Sequence, residues 1–278
     1  MSENNVFDNN IRNVKGKIID LRYHGDEYMK YLKNDYVTYQ DKIIFMCNFN
    51  KKLDKYYEII SKYNQLIFSD SDNFMKYIYN CSSKIDQFIN DDSSKFNKPL
   101  DFINKLSHIT HLVIGYEFNQ PLELSNKLTH LTYKPREGFP IVLTQNIVYL
   151  VLGNDYNQPI QLNENLLHLE LGNDYNQPIQ LNEKLHFLKL NINNQNLLDN
   201  LPNSIKTLIL GHKIDVELNN LPNSIKFLHI GNSQYKKELN NLPKSLEQLN
   251  ICTSCDCKIN NIPKNLIIFK FNIFNDPY

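Results

Sequence analysis

Alanine and tryptophan are absent from this chain of 278 residues, and only three of its 30 basic residues are arginine. Asparagine, by contrast, occurs 42 times. Asn, Lys, Ile and Tyr have AT-rich codons and Ala, Gly and Arg mostly GC-rich ones, so this skew describes a genome rather than a fold. Charge of one sign is also missing. Thirty acidic residues balance thirty basic ones, and residues 1–95 carry 14 of each. Without a basic or acidic block there is nothing to steer a polyion, which argues against a nucleic-acid or membrane-surface binder. No run approaches 18 apolar residues, so no membrane span is expected, and the opening MSENNVFDNN has no apolar core of a secretory signal. Cysteine is sparse and odd in number, five in all, with three at positions 252, 255 and 257. These features predict a soluble, cytoplasmic, monomeric protein with free thiols. Proline is missing from the first 98 residues, although the chain has eleven. The first third is therefore a different kind of segment from the rest.

What the remainder has is a repeat. LGNDYNQPIQLNE occurs at 152–164 and again at 171–183, an offset of 19. Pro121, Pro140, Pro159 and Pro178 keep that step, after which the punctuation changes to NLPNS, NLPNS and NLPKS, with Pro202, Pro222, Pro243 and then Pro263 at steps of 20 or 21. Each unit holds one core of the form apolar-x-x-apolar-x-apolar. Nine are present, from ITHLVI (109–114) through IVYLVL (147–152), LHFLKL (185–190) and IKFLHI (225–230) to LIIFKF (266–271). The last four residues of each core alternate as a half-buried strand does. One such unit cannot bury its apolar side alone, and stacking many of them buries a continuous core. A period of 19–22 residues is too short for helix pairs and fits the short end of leucine-rich repeats. The expectation is a leucine-rich-repeat-like solenoid: a parallel β-sheet of about nine short strands, mostly irregular return segments, and a small α/β N-terminal cap. Leu150, Leu169, Leu188, Leu208 and Leu228 should form one interior row. The division expected is residues 1–95, cap or recruiting segment, and residues 96–278, solenoid. Within 1–95 the pattern predicts strands at 18–21, 43–46 and 66–68 and helices over 51–63 and through Phe74, Ile78, Cys81, Ile85 and Phe88.

FNKPL (96–100), FNQPL (118–122) and YNQPI (156–160 and 175–179), each leading to an LxLG-like strand, resemble the FNIP repeat family. That family is a divergent relative of leucine-rich repeats, abundant in slime moulds and amoeba-infecting giant viruses. The resemblance implies a protein-binding module, in the host cytoplasm if the source is viral. Members often join the repeats to an F-box, which implies ubiquitin-ligase subunits as partners. Residues 1–95 lack the Leu-Pro step with which an F-box opens.

Candidate sites were read on the repeat register. His111, His130 and His168 share one outward position with Tyr149, Phe187, Thr207, Phe227, Gln248 and Ile268. A mixed ladder of this kind is a surface rather than an acid–base pair, so no catalytic residue and no enzyme are expected. The binding face is assigned to His130, Tyr149, His168, Phe187, Ile209, Phe227 and His229, with an unidentified protein as partner. A purely structural repeat protein is the alternative. Cys252, Cys255 and Cys257 are weak metal candidates, because a structural zinc site takes four ligands and no other Cys or His lies nearby. Cys255 falls where other units place a turn aromatic and should point inward. No metal and no cofactor are expected. Single glycines after the strands are read as positive-φ turns, and Asn97, Asn119, Asn157 and Asn176 as a ladder satisfying turn backbone groups.

Overall fold

The computed structural model describes residues 36–39, 41–45, 49–68, 94–100 and 108–271. The strand expected at 18–21, the helix expected through Phe74 to Phe88, and the tail after Phe271 lie outside the described residues. The chain forms two compact units, Met1–Phe139 and Pro140–Tyr278.

In the first unit, β1 (Tyr36–Tyr39) pairs antiparallel with β2 (Lys42–Phe45). From there the sheet is parallel, through β3 (Gln65–Phe68), β4 (His111–Ile114) and β5 (His130–Tyr133). The strands expected at 43–46 and 66–68 are β2 and β3, so the parallel sheet begins within the first 95 residues. The helix expected over 51–63 is shorter: a 3-10 turn at Leu53–Tyr56 runs into the single helical turn α1 (Tyr57–Ile60). Its apolar residues Leu53 and Ile60 are buried. A row of rings lines the interior of this unit. Phe45 stacks on Phe68, Phe68 on Phe96 with centroids 3.8 Å apart, and Phe96 on Phe118.

The second unit contains β6 (Tyr149–Leu152), β7 (His168–Glu170), β8 (Phe187–Leu190), β9 (Thr207–Leu210), β10 (Phe227–Ile230), β11 (Gln248–Cys252) and β12 (Ile267–Phe271), each parallel to the next. All nine sequence cores are thus strands, β4 to β12. The return segments are irregular except for one helix, α2 (Gln195–Asp199), capped by the Asn194 side chain accepting from the Leu197 amide. It occupies the longest step in the repeat, from Pro178 to Pro202, where the extra residues have room to coil.

Strand alternation builds the core. Leu150, Leu169, Leu188, Leu208, Leu228 and Leu249 pair in register and are all fully buried. Burying a leucine completely stabilises by about 1.5–3 kcal/mol, so this row is a major contribution. The turn aromatics point inward as well: Phe96, Phe118, Tyr156, Tyr175 and Tyr235 are buried. Burial pushes the Tyr175 phenol up to about 12.

Side chains satisfy the turns. The Oδ1 of Asn97 accepts from the Asn119 amide at 2.9 Å, and that of Asn157 from the Asn176 amide at 3.0 Å. The asparagine of one coil therefore caps the same position of the next, as the sequence suggested. A second set of contacts ties each coil to the one before. Asn182 Nδ2 donates to the carbonyls of Asn163 and Leu166, while its Oδ1 accepts from the Lys184 amide. Asn163 does the same toward Thr144, Ile147 and Asn165. In later coils Ser204, Ser224 and Ser245 each donate one 2.7 Å bond, to Leu185, Ile205 and Ile225.

Three of the glycines after the strands serve a different purpose from the one expected. Among the described residues Asn261 is the non-glycine residue with positive φ, whereas Gly115, Gly172 and Gly211 sit where the chain is crowded. A Cβ on Gly172 would collide with the Gly153 carbonyl of the previous coil, one on Gly115 with the Ser94 side chain, and one on Gly211 with the Asn191 side chain. Close approach of coils, not backbone handedness, requires glycine there.

Candidate functional site: the outward sheet face

Each strand sends its first and third residues to the face opposite the leucine row. In the first unit the first-residue row holds His111 and His130, stacked at 4.0 Å. Thr110 and Thr129 hydroxyls lie 2.8 and 2.9 Å from the Nδ1 atoms of the following histidines and fix both rings. Burial, with a smaller contribution from His130, holds His111 down at about 4. His111 is therefore neutral at physiological pH.

In the second unit the row begins Tyr149, His168, Phe187. Their rings stack at 4.0 and 3.9 Å with interplanar angles of 20° and 9°. Parallel strands in register place equivalent residues about 4.8 Å apart, and flat rings lean slightly to reach van der Waals contact. Thr207, Phe227, Gln248 and Ile267 continue the row in register. His130, Tyr149, His168, Phe187 and Phe227 are each partly exposed. Beside the rings runs a short polar chain: His168 Nε2 lies 3.0 Å from Glu170 Oε1, and Lys189 Nζ lies 3.6 Å from Glu170 Oε2.

Two residues assigned to the exposed face are not exposed. Ile209 and His229 belong to the third-residue row and retain 2% and 1% of their accessible surface. His229 is covered by the ring of Phe271, stacked at 4.8 Å, and Ile209 sits in register between Lys189 and His229. A third correction concerns the last strand. Gln248 pairs with Ile267 and Leu249 with Ile268, so Ile268 continues the interior row and Ile267 takes the outward place given to Ile268. The slip sets a leucine-sized side chain beside Leu249 and turns Phe269 outward, where it is 51% exposed.

Cys255 is buried, as the register implied, and Cys252 is buried as well. Among the described residues, no group of three or more His, Cys, Asp or Glu side chains is placed to hold a metal ion. A hollow in the return side of the second unit is lined by Asp199, Asp215 and Glu217, but its side chains bond one another. Gln195 and Asn220 both donate to Asp199 Oδ1, and Asn219 donates to Glu217. No helix among the described residues is long and apolar enough to cross a membrane.

Sequence reasoning found the ring row and the inward cysteine. It missed the Asn163 and Asn182 contacts, although both residues precede the first apolar core residue by three positions.

Residues 193–233 match the FNIP Repeat family model. No curated protein matches the chain's sequence. Among solved structures it is similar to CroV588, a giant-virus protein described as a novel circular leucine-rich-repeat structure, with a TM-score of 0.54 and 21% identity over 85% of this chain. The match spans 41% of that protein's length. The chain thus has a leucine-rich-repeat-like fold of stacked parallel strands, and its residues 193–233 are similar to the FNIP repeat.

Proposed function

We propose that the outward sheet face is a protein-binding surface. The supporting observation is the ring row of the second unit, Tyr149, His168 and Phe187, held flat and in register while partly open to solvent. Side chains that lose little conformational entropy on contact suit recognition, because less ordering opposes binding. Phe227 extends the surface along the same row. The first unit offers His130 on the same face of its own sheet.

The test is affinity capture with the full chain and with a Phe187→Ser, Phe227→Ser variant. The variant is expected to keep its cooperative unfolding and to lose the partners captured by the wild type. Capture unchanged in a folded variant would overturn the assignment. Ubiquitin-ligase subunits among the captured partners would identify an adaptor, and an unrelated partner a plain binding module.

A further inference from the structure

We propose that Cys255 and Cys257 form a reversible dithiol–disulfide site in the turn after β11. The two Sγ atoms lie 2.9 Å apart. Their proximity follows from the repeat. Tyr156, Tyr175 and Tyr235 fill the interior slot of this turn in other coils. Cys255 replaces the ring with a much smaller side chain, and the Cys257 sulfur lies beside it. Cys255 Sγ also lies 3.1 Å from the Tyr235 carbonyl oxygen, which anchors it to the preceding coil. Cys255 is buried and Cys257 is half-buried, so the pair is reached from solvent through Cys257. The Cys252 sulfur lies 3.1 Å from the Ser254 hydroxyl.

The oxidant is a low-molecular-weight disulfide, RSSR. One cysteine thiolate attacks a sulfur of RSSR, forms a mixed disulfide and releases RS⁻. The second cysteine then attacks the protein sulfur of that mixed disulfide, forms the Cys255–Cys257 bond and releases a second RS⁻. The protein loses two electrons and two protons, and RSSR becomes two RSH. Closing the bond requires the sulfurs to approach by about 0.9 Å, from their present separation to the usual disulfide length. Burial, and then the hydrogen bond with Cys255, pushes the Cys257 thiol up to about 12. Thiolate is scarce at neutral pH, so exchange is slow and accelerates as pH rises.

The experiment equilibrates the folded full chain, and separately a peptide of residues 245–258, in oxidised and reduced glutathione at several ratios. Acid quenching, alkylation and peptide mass analysis then locate any bridge, which lowers the peptide mass by about 2 Da for the two hydrogens lost. The folded chain is expected to form the 255–257 bridge with an equilibrium constant at least about tenfold above the peptide's, equivalent to about 30 mV. Cys252→Ser should leave the bridge in place and Cys257→Ser should abolish it. A constant no higher in the folded chain than in the peptide would overturn the proposal, as would a bridge from Cys252 in the folded wild type.

Discussion

The coils around 152–183 and those around 202–245 reach the same turn by different chemistry. In the first kind, Asn182 closes the turn before the strand: its carbonyl accepts from the Leu185 amide at 3.4 Å while its side chain makes three further bonds. In the second kind, Pro202, Pro222 and Pro243 occupy the same place, three residues before the core, and accept from Ile205, Ile225 and Leu246. Proline fixes φ without hydrogen bonds, and the serine two residues later supplies the one remaining tie to the previous coil. An asparagine that bonds on every side is thus equivalent to a proline and a serine together. The repeat conserves a turn and a satisfied carbonyl rather than a residue.

This equivalence can be broken, and the largest effect should come from the asparagine. Asn182→Ala removes three hydrogen bonds, each worth about 0.5–1.5 kcal/mol, and should destabilise by about 3 kcal/mol in urea unfolding. Asn182→Pro combined with Lys184→Ser rewrites that turn in the other style and should recover most of the loss. If the double variant is no more stable than Asn182→Ala, the two turn types are not interchangeable.

The glycines separate the two kinds next. Gly172→Ala forces a methyl against the backbone of the preceding coil and should cost about 2 kcal/mol, as overpacking does. Gly211→Ala meets the Asn191 side chain, which can turn aside, and should cost clearly less by thermal shift. Equal losses would show that the coils are not closer in the asparagine region. Ser204→Ala, with one bond to lose, should cost about 1 kcal/mol, measured by the same unfolding assay.

The smallest effects should have opposite signs. Tyr175 Oη is buried without a hydrogen-bond partner, whereas Tyr235 Oη donates to the Val216 carbonyl at 2.9 Å. Tyr175→Phe should raise stability slightly, because it removes a desolvated hydroxyl, and Tyr235→Phe should lower it by about 1 kcal/mol. Differential scanning calorimetry of the two variants would show melting points moving in opposite directions. Shifts of the same sign would contradict this reading of the two hydroxyls.

Much of this was legible because a repeat reports each position several times. The alternation in nine cores gave the strands, and the identity of Leu150, Leu169 and Leu188 gave the interior row. The asparagine ladder followed from the identical copies at 157 and 176. What one repeat alone determines was harder to read. The one-residue slip of β12 depends on which of Ile268 and Phe269 fits beside Leu249. The burial of His229 depends on Phe271, two strands away in the sheet. Glycine suggested a turn conformation because a sequence shows what a residue permits, not how near the next coil lies. On the sheet face, residue type placed Tyr149, His168 and Phe187 together, and register explains their stacking. Ile209 shows that an outward strand position is not always an exposed one.

The central claim is that alternation in each strand separates a stabilising interior row from a recognition row one residue away. Phe187 and Leu188 are neighbours on β8 and test it directly. Urea unfolding of Leu188→Ala and of Phe187→Ser should give losses of about 2–5 kcal/mol for the buried leucine and about 1 kcal/mol for the partly exposed phenylalanine. Equal losses, or the larger loss at Phe187, would contradict the register on which the fold and the binding face both rest.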